Sequence, residues 1–157
     1  MSGSKHHYEL SLEWTGNTGE GTSGYRSYSR NHILRAKGKP DLVGSSDPTF
    51  RGDRSRYNPE ELLVASLSSC HMLWFLHLCA EAKLIVEDYS DEASGSMAMD
   101  TDGGGHFEEV TLRPAVRFSG SPDSAQVDAL HHRAHELCFI ARSVNFPVKH
   151  EARMIIN

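Results

Sequence analysis

A chain of 157 residues is long enough to bury one substantial core and too short for two ordinary domains, so it reads as a single domain over 1–157. Its net charge of −5 and pI near 6.0 give no reason to expect nucleic acid or an anionic membrane surface as a partner. Three cysteines, an odd number, argue against a structural disulfide framework, and the opening MSGSKHHYEL lacks the apolar core of a signal peptide. The sequence thus predicts a cytoplasmic protein in which a disulfide would be transient rather than architectural.

Residues 8–16, YELSLEWTG, alternate apolar and polar and predict an opening strand. A glycine-rich turn over 17–24 leads to a second strand predicted over 25–34. Residues 35–57 carry Gly38, Pro40, Gly44, Pro48 and Gly52 and read as loop with short extended pieces. Five arginines lie between Arg26 and Arg54, and a polar connection this long is usually functional or held by a partner.

Asn58 to Lys83 predicts the first helix. Asn58 is an N-cap oxygen and Pro59 fits the first helical position, where its missing N–H costs nothing. Glu60 and Glu61 follow in the turn that the helix dipole makes favourable for negative charge. The apolar run behind them is interrupted by Ser66, Ser68, Ser69 and two histidines, which argues for the middle of a soluble domain and against a bilayer span.

A strand is then predicted over 85–99, a hairpin turn at DTDGGG (100–105), and a returning strand over 107–118. Ser121-Pro122-Asp123-Ser124 starts a second helix that runs to about Ser143 and is stopped by Asn145 and Pro147. Residues 148–156 close the chain as a strand. Strands, helix, strands, helix, strand is an α+β order, without regular βαβ repeats.

Cys70 lies near the middle of the first helix, sharing a face with Leu63, Leu67, Trp74 and Leu78. Cys138, on the second helix, shares a face with Val127, Ala134, Leu137 and Ala141. Small residues beside both thiols allow the helices to approach closely. Cys79 stands nine residues beyond Cys70, about half a turn around the helix, and points away from it. A free cysteine on an apolar helix face is most often a small, inert core residue.

NPEELLVASLSSC, however, resembles the first cysteine motif of the OsmC/Ohr family of organic hydroperoxide reductases. That motif is Asn-Pro-Glu, an apolar helix, and a cysteine ten residues after the glutamate; here these are Asn58, Pro59, Glu60 and Cys70. HELCFIARSV resembles the family's second cysteine segment and gives Cys138 as the partner thiol. The resemblance covers nearly the whole chain. It implies an intertwined homodimer with antiparallel sheets wrapped around two long central helices and sites at the subunit interface. Phe139 stands where hydroperoxide reductases of the family often have proline. Asn17-Thr18-Gly19-Glu20 replaces the glycine-and-arginine pattern of the Ohr branch, and both departures point to an OsmC-like side branch.

The resemblance also implies a mechanism without bound cofactor or metal. Cys70 attacks an organic hydroperoxide and becomes a sulfenic acid, and Cys138 condenses with it to a disulfide. A dithiol reductant, lipoyl-type or thioredoxin-type, restores the pair. An arginine held by a glutamate keeps Cys70 ionised. Glu60 is the matching glutamate, and Arg51, just upstream of Asn-Pro-Glu, is the preferred arginine, ahead of Arg26 and Arg54. Trp74, Phe75, Phe139 and Phe146 would line an apolar pocket suited to an organic substrate.

Other constellations are weaker. His131, His135 and Cys138 share one helix face at metal-binding spacing, but no second pair of ligands accompanies them. A Cys–His hydrolase lacks a nucleophile elbow or oxyanion signature. The alternative to a peroxidase is a non-enzymatic dimer of the same fold that binds an apolar ligand.

Overall fold

The computed structural model of the protein describes residues 3–155, which divide into two compact units with the boundary between Leu62 and Leu63. Ile156, in the predicted closing strand, lies outside the described residues.

The first unit holds an antiparallel sheet of β1 (Ser11–Trp14), β2 (His32–Arg35) and β3 (Leu42–Gly44), in that order. Leu12 faces Leu34 and Ile33 faces Val43 across the ladders. Both early strands are shorter than predicted. Instead of extending, residues 25–31 wrap around Arg30, whose guanidinium donates to the carbonyls of Tyr28 and Tyr25 at 2.7 Å each and lies over both rings. Those bonds and the stacking fix a turn that alternation of residue type does not reveal. The turn seats against β1 at Gly16, where a Cβ would fall 1.8 Å from the Ser29 carbonyl oxygen.

A second tight loop spans 45–53. Asp47 accepts the Thr49 N–H at 2.7 Å and opens a 3₁₀ turn at Pro48–Phe50; Arg51 then takes a left-handed conformation, φ 65°. Gly52 passes so close to Ser46 that a Cβ would lie 1.5 Å from its carbonyl oxygen. The unit ends on a capping box: Asn58 accepts the Glu61 N–H at 2.8 Å, and the Glu61 carboxylate accepts the Asn58 N–H at 3.1 Å. This starts α1 (Pro59–Glu81), within two residues of both predicted bounds. Every residue of β1 is exposed, and among the described residues no buried apolar side chain precedes Leu67.

Most of α1 belongs to the second unit. Its buried ridge is Leu67, His71, Phe75 and Cys79 at four-residue spacing, one position around from the face predicted through Cys70. Length and composition alone would let α1 cross a bilayer, a test that core helices also pass; this ridge packs inside protein. The helix stops with Lys83 left-handed, φ 60°, the Leu84 N–H reaching the Cys79 carbonyl and the Lys83 N–H that of Ala80, a Schellman closure.

The strand predicted over 85–99 is two, β4 (Val86–Asp91) and β5 (Ser94–Met99), and the one over 107–118 is also two, β6 (Gly105–Leu112) and β7 (Pro114–Phe118). The chain changes sheet at both breaks: β4 and β7 pair in one sheet, β5 and β6 in the other. After α2 (Ser124–Leu137), β8 (Val148–His150) adds to β6 and β9 (Arg153–Met154) adds to β7, both parallel. The sheets are therefore mixed rather than antiparallel throughout, because the chain returns from α2 running in the same direction as β6 and β7. Phe75, Cys79, Val116, Phe118, Val127 and Ala134 form one core cluster; Leu67, Val110 and Leu112 form a second.

Candidate functional site

α2 ends at Leu137, well short of the predicted Ser143. Cys138 leaves the helix with extended backbone, φ −64° and ψ 112°, and a separate 3₁₀ turn follows at Ala141–Ser143. That turn folds back so that the Ala141 N–H donates to the Cys138 Sγ at 3.4 Å. The second thiol thus sits at a helix end, not on a helix face.

Cys138 is buried and Cys70 half-buried. Burial pushes the Cys138 thiol up to about 11; the amides of Ala141 and Ile140 oppose this, and the neighbouring Cys70 thiol adds to it. The structure therefore brings together the two thiols that the sequence singled out, with Cys138 holding its proton beside the more accessible Cys70. Cys79 stands apart in the core, its thiol pushed to about 11 by burial, which makes it a poor nucleophile.

Glu60 is partly buried, and its Oε2 is buried without a hydrogen-bond partner among the described residues. A carboxylate oxygen in that position is costly unless a cation reaches it. Arg51 and Arg26, alternatives in the sequence, both line a polar cavity of about 390 Å³ in the first unit, together with Arg30 and Asp53. Arg30 is committed to the tyrosine carbonyls, whereas Arg51 and Arg26 are exposed. Arg54 is exposed and is not part of this lining.

The four aromatics expected beside the thiols separate. Trp74 and Phe139 meet edge to face at 5.5 Å and, with Leu73 and His77, line an apolar cavity of about 300 Å³. Phe75 is fully buried in the core, and Phe146 stacks on Phe107 in the second cluster. Among the described residues no group of three His, Cys, Asp or Glu side chains is placed to hold a metal ion. What the sequence did not reveal is that His71 and His131 pair in the interior, their ring nitrogens 3.1 Å apart.

An α+β chain with one thiol midway along α1 and a second at the end of α2, set beside each other, is the class these features define. The chain belongs to the OsmC-like protein family, whose model matches residues 52–153. It is similar to an OsmC-like protein of unknown function from Vibrio cholerae O1 biovar eltor, with 35% identity, 95% of this chain and 100% of that chain covered, and a TM-score of 0.87. An organic hydroperoxide resistance protein from Elizabethkingia anophelis, solved with thiocyanate bound, shares the fold at 18% identity over 98% of this chain and 100% of its own, with a TM-score of 0.69. The uncharacterized protein YmaD of Bacillus subtilis is 24% identical over 143 residues, 88% of this chain and 87% of that protein.

Proposed function

We propose that the protein is a thiol-dependent peroxidase that reduces organic hydroperoxides to alcohols. The observation that carries this reading is the unequal thiol pair: Cys70 half-buried, and Cys138 buried, its thiol held protonated by burial and by the neighbouring Cys70. Membership of a family that includes organic hydroperoxide resistance proteins supports it.

The Cys70 thiolate attacks the distal oxygen of the hydroperoxide. The O–O bond breaks, the alkoxide takes a proton and leaves as alcohol, and Cys70 becomes a sulfenic acid. Cys138 attacks that sulfur, water leaves, and a Cys70–Cys138 disulfide remains. A dithiol reductant of the lipoyl or thioredoxin type regenerates both thiols by exchange and is itself oxidised to a disulfide. Glu60 and Arg51 hold the thiolate in this scheme. Support comes from the unsatisfied Glu60 oxygen and from the left-handed backbone that fixes Arg51.

The working form is a cytoplasmic homodimer. A three-stranded sheet with Leu12 62% and Trp14 41% exposed, and no buried apolar side chain among the described residues of its unit, needs a cover from outside it. The apolar cavity at Leu73, Trp74 and Phe139 favours a hydrophobic hydroperoxide over hydrogen peroxide. It equally fits the second reading, a dimer that binds an apolar ligand without turnover.

One equivalent of cumene hydroperoxide followed by a thiol count and non-reducing peptide mapping separates the two. Loss of two thiols with a Cys70–Cys138 link is the expected result. Three intact thiols would overturn the peroxidase reading and leave the ligand-binding dimer.

A further inference from the structure

Four histidines from three elements gather inside the second unit: His71 on α1, His131 and His135 on α2, and His150 on β8. His71 and His131 are each 1% exposed, and their rings lie parallel within 2°. His71 Nε2 and His131 Nδ1 share one hydrogen bond at 3.1 Å. The other face of the arrangement is apolar: His131 stacks on Phe75 with centroids 3.7 Å apart. His150 lies 5.6 Å from His71 and 6.1 Å from His131, and His135 lies 6.0 Å from His150. His131 Nε2 is buried with no partner among the described residues.

We propose that this histidine stack is an acid-sensitive latch: neutral, it holds the two cysteine-bearing segments together, and protonated, it releases them. Cys70 immediately precedes His71. Cys138 follows His135 by three residues, and its N–H is bonded to the His135 carbonyl at 3.3 Å. The latch does not depend on the peroxidase reading, since it acts on packing that the structure already shows.

The chemistry of the contact gives the direction. A hydrogen bond between two imidazoles needs one N–H and one lone pair. A first proton keeps the bond but buries a cation between aromatic rings; a second removes the acceptor and sets two cations 3.1 Å apart. Where His131 Nδ1 is the donor of that bond, protonation of the ring would also leave an Nε2–H without an acceptor.

The surrounding groups do not compensate. From α2 and β8, His135 and His150 act against charge on His71; His71 and His150 act against it on His131. The one carboxylate felt within the cluster is Asp128, at His150, where His132 and His135 oppose it. From β4, Tyr89 sits behind Phe75 with its hydroxyl buried, and burial followed by Asp91 keeps it un-ionised.

Burial first, then the neighbouring histidines, lowers His71 to about 4 and His131 to about 3, against 6.5 ordinarily. Both are neutral in the fold and titrate near 6.5 when unfolded. Their contribution is therefore complete above pH 6.5 and is lost as pH falls from there towards 4. Within that window each histidine lowers the folded-to-open ratio about tenfold per pH unit.

The test follows Cys138 labelling by 4,4′-dithiodipyridine, which reacts in acid, from pH 7 to 4.5 in the full chain, read by peptide mapping. Labelling in the wild type should accelerate at least tenfold below pH 6, and His131→Phe, which keeps the stack on Phe75 without a proton site, should make that rise markedly shallower, leaving only the part due to His71. A flat wild-type profile, or a His131→Phe profile matching wild type, would overturn the latch. Ring NMR of the wild type provides a check that needs no variant. Two histidines should stay neutral down to pH 5, and titration of all ten near 6.5 would refute the proposal.

Discussion

Asp91 ties the helix that carries Cys70 to the point where the strands change sheet. Its Oδ2 accepts the Ser68 hydroxyl of α1 at 2.5 Å, and its Oδ1 accepts the Arg113 N–H, between β6 and β7, at 2.6 Å. One carboxylate thus fixes the axial position of α1 against both breaks, Glu92–Ala93 and Arg113.

Asp91→Ala leaves the partly buried Ser68 hydroxyl and the exposed Arg113 N–H without their acceptor and should cost about 1–2 kcal/mol, as for loss of charge-assisted hydrogen bonds. Asp91→Asn keeps one carbonyl acceptor and should cost about half as much. Urea denaturation measures both, and equal midpoints for Asp91→Ala and wild type would show that Asp91 does not anchor the helix.

The end of α1 should be improvable. Lys83 takes the left-handed position of the Schellman closure, which strains any residue with a Cβ. Lys83→Gly should raise stability by about 0.5–1 kcal/mol, the relief of strain exceeding the added freedom of the unfolded chain. A thermal melt that shifts downward would show the closure to be unstrained.

α1 was legible because its signals are local. Asn58, Pro59 and an apolar run with alanine, leucine and serine state where it begins and how long it lasts. α2 shows the opposite. Phe139, Ile140 and Ala141 are ordinary helix residues, and the chain stops at Cys138 because its sulfur takes the Ala141 amide, a bond that no spacing rule announces. The breaks at Glu92–Ala93 and Arg113 were invisible for a related reason: alternation continues across them, while the change of sheet is fixed by Asp91, 22 residues from Arg113. Cys70 and Cys138 were found through a motif. His71 and His131 were not, because 60 residues separate them and each alone looks like a solvated histidine.

Arg51 offers a way to separate backbone from chemistry. Arg51→Gly removes a left-handed non-glycine residue and should leave the fold intact or stabilise it by up to about 1 kcal/mol. The same change should lower kcat/KM for cumene hydroperoxide at least a hundredfold, and Arg51→Lys at least tenfold, because an ammonium does not reproduce the planar fork that bridges a carboxylate and a thiolate. Arg26→Lys, in the same cavity, should cost less. If Arg26→Lys proves the more damaging of the two, the guanidinium role passes to Arg26.

The three thiols should separate cleanly by role. Cys70→Ser should abolish hydroperoxide turnover, since an alcohol is not ionised near neutral pH and cannot attack the peroxide. Cys138→Ser should consume one equivalent of hydroperoxide and stop, because the Cys70 sulfenic acid then has no thiol in contact; further peroxide drives it to sulfinic acid, visible as a mass gain of two oxygens. Cys79→Ser should leave the rate within about twofold, because a thiol pushed to about 11 by burial stays protonated. Its effect should fall on stability instead, about 1–3 kcal/mol for a hydroxyl placed in an apolar core. A Cys70→Ser variant with full activity would remove the chemistry from this pair. A Cys138→Ser variant that still cycles would show that the external dithiol reduces the Cys70 sulfenic acid directly, and Cys138 would then be a packing residue at the end of α2.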